Sequence, residues 1–274
     1  MSSSPEPAPA PRLARSLLFV PGDRPERFAK AFSSGAHQVI LDLEDAVAPA
    51  AKDAARKAIA AWLGDGGRAV VRINAIDSPG HAQDLALVRD HPAATVMLPK
   101  ADPESAAATA AALAGRPLIA LVETAAAMVS IEALAGVRGV VRLAFGSIDF
   151  TADSGIEDQG ENLTGVRTML VLASRAAGLQ PPIDGVSVEL SDAVVMQEHA
   201  RRARSLGFGG KLCIHPRQVE AVHAAFRPLP QELEWARRVV AAFAASDGAA
   251  VALDGRMIDK PVVDRARQVL AEKD

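Results

Sequence analysis

Two acids, Glu123 and Asp149, stand at the ends of successive predicted β-strands. Glu123 follows the apolar run Leu118–Val122, and Asp149 follows Val140–Phe145 across Gly146-Ser147-Ile148. About one βα unit separates them. In parallel α/β proteins, ligands bind at the carboxyl ends of the strands. Two carboxylates delivered there by neighbouring strands suit a hard divalent cation such as Mg²⁺, with positions left open for a substrate oxygen. The competing reading is that each acid caps the helix that follows it.

The other predicted strand ends are also polar. They are Pro21-Gly22-Asp23-Arg24, Asp42-Leu43-Glu44-Asp45, Arg72 with Asn74, Pro99-Lys100, and His215-Pro216. Cations and anions thus converge on one rim, which marks it as the expected active site. The set suits a reaction at a carbon next to a carbonyl. A cation on Glu123 and Asp149 would chelate a 2-keto or 2-hydroxy acid. Arg72, always charged and with a rigid fork of donors, suits a carboxylate or an enolate oxygen. Asp42 or Asp45 could instead simply pair with Arg72 or Lys100. Lys100 could be a Schiff-base lysine, although beside two acids it reads better as a charged partner. His215 could shuttle a proton or be a satisfied rim residue. Cys213 falls in a buried strand and reads as inert.

The elements that must position these residues follow from hydrophobic patterning. Strands are expected at Ser16–Val20, Val39–Leu43, Ala69–Ile73, Thr95–Leu98, Leu118–Val122, Val140–Phe145, Gly185–Val188 and Lys211–Ile214. Ala-rich segments with helical spacing lie between them, among them Pro25–Phe32, Ala51–Trp62, Met128–Leu134 and Leu163–Ala177. Near-continuous apolar strands imply burial on both faces, as in parallel sheets under helices. Eight such strands alternating with helices predict an α/β fold, the (β/α)₈ TIM barrel; a doubly wound open sheet is the alternative. The barrel is expected over 12–228. Residues 229–274 form an appendage: a helix over Glu232–Ala245, a hairpin turning at Asp254-Gly255, and a last helix opened by Pro261. That appendage could cover an active site of its own subunit or of a neighbour. Residues 1–11, rich in Pro, Ser and Ala, read as a disordered leader.

Composition excludes other classes. The net charge of −3 and an aromatic content of 4% give no basis for binding nucleic acid. One Cys permits no intrachain disulfide, and the six His form no ligand-spaced cluster for zinc. No apolar run approaches the ~20 residues of a membrane span. The cytoplasm is the expected location.

Eight ordered segments stand out: Arg15-Ser16-Leu17-Leu18-Phe19-Val20-Pro21-Gly22, Leu41-Asp42-Leu43-Glu44-Asp45-Ala46-Val47, Val71-Arg72-Ile73-Asn74, Met97-Leu98-Pro99-Lys100, Val122-Glu123-Thr124-Ala125, Phe145-Gly146-Ser147-Ile148-Asp149, Cys213-Ile214-His215-Pro216 and Gly255-Arg256-Met257-Ile258-Asp259-Lys260-Pro261. In these motifs the chain resembles the citrate lyase β-subunit-like proteins of the HpcH/HpaI aldolase superfamily. The resemblance implies a Mg²⁺-dependent TIM barrel that makes or breaks a carbon–carbon bond in a 3-hydroxyacyl-coenzyme A thioester of the malyl, citramalyl or citryl type. It implies Glu123 and Asp149 as metal ligands and Arg72 at the substrate carbonyl or carboxylate. In the mechanism expected from these roles, Glu44 and Asp45 would orient Arg72 or metal-bound water. Arg15 and Lys100 become substrate-binding candidates. Asp259, which the sequence alone makes a helix cap, becomes an acid acting in a neighbour's active site within a homotrimer or higher homo-oligomer. Because coenzyme A carries phosphates, a basic path of Arg24, Arg27, Lys30, Lys52 and Arg56 could lead to the rim; these residues could equally form solvated helix faces. Two rival functions remain: a citrate lyase β subunit acting on an acyl carrier partner, and a metal-dependent aldolase acting on free keto acids.

Overall fold

The computed structural model describes residues 13–190, 192–246 and 249–272. The expected leader, residues 1–11, lies outside these. Eight parallel strands close into a barrel in sequence order: β1 (Ser16–Pro21), β2 (Gln38–Asp42), β3 (Val70–Arg72), β4 (Thr95–Leu98), β5 (Leu118–Val122), β6 (Val140–Phe145), β7 (Gln180–Asp184) and β8 (Gly210–Cys213). Closure sets β8 against β1, with Ser16 opposite Lys211 and Leu18 opposite Cys213. The expected TIM barrel is therefore present, and an open doubly wound sheet is excluded.

The barrel interior explains the apolar strands. Leu17, Ile40, Val70, Met97, Ile119, Leu121, Ala144, Ile183 and Leu212 form one buried cluster inside the ring of strands. Alternate residues such as Leu18, Leu41 and Ala120 are also buried, under the surrounding helices. Burial on both faces is what removes the polar alternation that a half-exposed strand would show.

The seventh strand is displaced from its expected position. It runs over Gln180–Asp184, not Gly185–Val188, and contains Pro181 and Pro182. Proline cannot donate to a ladder, which argues against a central strand. The carbonyls still bond: Gly209 N donates to Pro182 O at 2.8 Å, and Arg142 Nε donates to Pro181 O at 2.8 Å. The β6–β7 register is irregular at this point. A second departure is the segment Met128–Leu134. It is split into helices Ala125–Val129 and Ile131–Ala135. At the break, the Ser130 hydroxyl donates to Ala126 O at 3.0 Å, competing with the backbone.

The chain divides into two compact units, with the boundary between Val222 and His223. The second unit contains a helix over Pro230–Ala245, a hairpin of β9 (Val251–Leu253) and β10 (Arg256–Ile258), and a helix over Lys260–Ala271. Asp254 and Gly255 both have positive φ, as a two-residue hairpin turn requires. Ala236, Val239, Ile258, Val263 and Ala266 form its core.

Candidate active site

Each rim residue owes its place to the strand before it. Arg72 is the last residue of β3, Glu123 comes directly after β5, and Glu44 and Lys100 follow the ends of β2 and β4 by two residues. Glu123 is 2% exposed. The helix after it is capped by Thr124, whose hydroxyl accepts from Ala127 N at 3.1 Å. Glu123 is thereby relieved of capping, and its carboxylate turns to the rim. Lys100 N donates to Glu123 Oε2 at 2.6 Å. To aim that N–H, Lys100 adopts φ 49°, a left-handed conformation that costs a non-glycine residue on the order of 1 kcal/mol. Gly146 supplies the remaining space: a Cβ there would lie 2.3 Å from Glu123 Cγ.

Asp149 differs from its expected setting. It does not close β6. It lies in the first turn of a helix over Ser147–Ser154 that begins two residues after the strand ends. A carboxylate there is favoured by the helix dipole. Among the described residues it makes no hydrogen bond or ion pair, yet its charge reaches Glu123 and raises that carboxyl.

Arg72 is locked in place. Its Nε and Nη2 donate to Asp42 Oδ1 and Oδ2 at 2.7 and 2.6 Å, and its guanidinium lies 4.8 Å from the Phe19 ring centroid. Asp42 also accepts the backbone N–H groups of Glu44 and Ala46, so it is the anchor of the β2–β3 rim. Burial opposes the charge on Arg72, but the two bonds from Asp42 outweigh it and hold the guanidinium fully protonated. The remaining Nη protons are left for an incoming oxygen. Glu44 Oε2 lies 2.9 Å from Arg72 Nη1 as an ion pair, but it is buried and receives no aligned hydrogen bond. Lys100 Nζ donates to Glu44 Oε1 at 2.9 Å and lies 3.8 Å from Asp45.

These contacts divide the protonation states. The bond from Glu44 is the main cause that raises Lys100, which keeps it an ammonium and speaks against a Schiff base. Burial raises the Glu44 carboxyl, against the pull of Arg72 and Lys100. Burial, together with the negative charge of Glu44, pushes Glu123 up to about 8. Among the described residues, no cluster of three or more His, Cys, Asp or Glu could hold a metal. The acids within electrostatic reach of each other at this rim include Glu123 and Asp149, two carboxylates. That chemistry fits a hard cation that keeps water and substrate in its other positions.

Comparison with known proteins bears on this geometry. The family model described as HpcH/HpaI aldolase/citrate lyase matches residues 15–216. The chain belongs to that family. A citrate lyase subunit beta-like protein of Mycobacterium tuberculosis is 41% identical over 263 residues, covering 92% of this chain and 93% of its own. A (3S)-malyl-CoA thioesterase of Cereibacter sphaeroides is 33% identical over 271 residues, covering 94% of each. The crystal structure of CitE from Mycobacterium tuberculosis in complex with magnesium, acetoacetate and coenzyme A superposes with a TM-score of 0.84 at 39% identity, covering 95% of this chain and 98% of that one.

Within this HpcH/HpaI member, the basic residues expected along a phosphate path have unequal surroundings. Lys52 Nζ donates to Leu43 O, Glu44 O and Asn74 Oδ1 at 2.7, 3.0 and 2.7 Å, which engages all three of its protons inside the fold. Arg56 bonds Asp84 and Asp53 at 2.7 and 2.6 Å. Arg24 is open to solvent and pairs with Asp23 at 3.9 Å. Arg15 is not brought to the rim. It precedes β1, at the opposite end of the barrel, where its Nη1 donates to Gly209 O at 3.2 Å. Asp259 caps the last helix, accepting from Val262 N at 3.4 Å. Cys213 is buried and its thiol is pushed up to about 12 by that burial. Sequence reasoning missed the supporting roles of Phe19, Thr124 and Gly146. Only the Gly146 position carried a signal, being the small residue between a strand and an acid.

Proposed function

We propose that this protein is a Mg²⁺-dependent carbon–carbon lyase that cleaves or forms a malyl-, citramalyl- or citryl-type coenzyme A thioester. Acetyl-coenzyme A and a 2-keto acid are the products of cleavage. The observation that carries the reading is the buried Glu123 carboxylate within electrostatic reach of Asp149 and of a locked Arg72. A family member bound to magnesium, acetoacetate and coenzyme A supports it. Bound on Glu123 and Asp149, the cation would polarise the hydroxyl and carboxylate oxygens of the hydroxyacyl unit.

The chain's own residues then handle the charge. In the cleavage direction the substrate hydroxyl loses its proton, the carbon–carbon bond breaks, and its electron pair passes into the thioester as an enolate. Glu44 Oε2, buried beside Arg72 Nη1 and without an aligned hydrogen bond, is the acceptor for the hydroxyl proton. Arg72 directs its free Nη protons at the enolate oxygen. Lys100 keeps Glu44 oriented and balances its charge. Asp259, brought by a neighbouring copy, protonates the enolate carbon; this assignment rests on the resemblance of the segment 255–261 alone.

The test is product release from malyl-, citramalyl- and citryl-coenzyme A, with Mg²⁺ and with chelator, on the purified protein alone. Chelator-sensitive release of glyoxylate, pyruvate or oxaloacetate together with acetyl-coenzyme A is expected. Release of free thiol without a keto acid would favour hydrolysis, which the name of the Cereibacter sphaeroides relative suggests. No release from any thioester would favour a carrier-dependent subunit, in keeping with the subunit name of the Mycobacterium tuberculosis relative.

A further inference from the structure

A second charged site lies outside the barrel wall, behind β7 and β8. A recess of about 170 Å³ opens between the loop after β7, the loop 155–163 and the helix Ala193–Leu206. Its floor is an ion-pair network. Asp184 accepts from Arg167 Nε and Lys211 Nζ at 2.8 and 2.9 Å. Asp158 accepts both Nη groups of Arg167, at 2.9 and 2.7 Å. Two carboxylates therefore meet two cations, and these charges are matched.

Arg202 is the cation left over. It lines the same recess, and its Nε and Nη2 are shielded from solvent without any hydrogen-bond acceptor. Asp158 is near enough to feel its charge, but its oxygens are already taken by Arg167 and give Arg202 no bond. Two guanidinium nitrogens denied both water and acceptor are costly, so a partner from outside the chain is strongly favoured. One turn earlier on the same helix, His199 Nδ1 is 3.0 Å from the Ser187 hydroxyl. Burial and the charge of Lys211 hold His199 toward its neutral form, so it offers a hydrogen bond without adding a full charge.

We propose that this recess is a binding site for a small oxyanion of phosphate size, held by Arg202 with Ser187 and His199 alongside. A planar guanidinium with free donors matches a tetrahedral oxyanion, and the single excess positive charge sets the ligand's sign. The site is distinct from the rim of Glu44, Arg72 and Glu123, none of which lines it. Ile148, next to Asp149, forms part of its wall.

The test uses inorganic phosphate on the full chain without divalent cations, against sodium chloride at equal ionic strength. Phosphate should raise the thermal midpoint of the native protein by about 4 °C at about tenfold its Kd. Arg202→Met should lose that response, and Arg202→Lys should retain part of it. Without phosphate, Arg202→Met should melt no lower than the native protein, because only unpartnered donors are removed. A native protein that does not respond to phosphate overturns the proposal, as does a response that survives in Arg202→Met. So does a phosphate-free Arg202→Met that melts several degrees lower, since Arg202 would then already have its partners.

Discussion

Glu123 concentrates the chemistry of the rim in one side chain. Burial holds its carboxyl at about 8 in the cation-free protein, whereas an unfolded chain ionises glutamate near ~4.3. Folding thus favours the neutral form. That contribution is complete below about pH 4.3 and is lost as pH rises through about 8. The chelated protein should therefore lose thermal stability between about pH 5 and pH 8.5, and Glu123→Gln should flatten that fall; a melting series across this range reads both. A cation held there, as proposed, would compete with the same proton. Apparent Mg²⁺ affinity, measured by calorimetry, should rise up to about tenfold per pH unit below about 8 and level off above it. Turnover should be lost in Glu123→Gln with the fold intact, and activity persisting at saturating Mg²⁺ would remove Glu123 from the metal site. Arg72→Lys should cost about 3 kcal/mol in denaturant unfolding, because an ammonium cannot replace the paired bonds to buried Asp42.

At the scale of elements, the rim works because each turn after a strand is shaped for one neighbour. The turn after β4 is held left-handed at Lys100 so that its N–H meets the acid at the end of β5. The turn after β6 must be glycine because the same acid occupies the space of a side chain. Gly146→Ala should displace Glu123, lowering kcat at least tenfold while the circular dichroism spectrum stays native. An unchanged kcat would mean that Glu123 shifts freely, contrary to its packing. The strand β8 makes a separate prediction. Cys213, buried with a thiol pushed up to about 12, should resist a thiol reagent in the native protein and react fully in denaturant.

At the scale of the whole molecule, the proposed role of Asp259 can be tested by subunit mixing. The second unit folds around its own apolar core and presents Asp259 at a helix start. If Asp259 serves a neighbouring copy, Glu123→Gln and Asp259→Asn, each inactive alone, should regain activity when mixed and reassembled. Each mixed oligomer would then contain sites with both native residues. Absence of recovery, with exchange of subunits verified by mass, would confine Asp259 to its capping role. Among the described residues, no helix is long and apolar enough to cross a membrane.

Much of this architecture was legible from local pattern. Seven of the eight barrel strands stood out because burial on both faces writes a continuous apolar run. Their ends then placed Glu44, Arg72, Lys100 and Glu123 on one rim. β7 was hidden because Pro181 and Pro182 break the strand signal, and only the carbonyl bonds to Gly209 and Arg142 show how the ladder survives them. Tertiary structure alone decided which of several acids anchors Arg72, since Asp42, Glu44 and Asp45 are equivalent in sequence and differ only in reach. It alone revealed the matched network of Arg167, Asp184 and Lys211 and the unmatched Arg202 beside it. Residue types and spacing report what a side chain can do; the partners that fix its charge come from distant segments, and only folding brings them within reach.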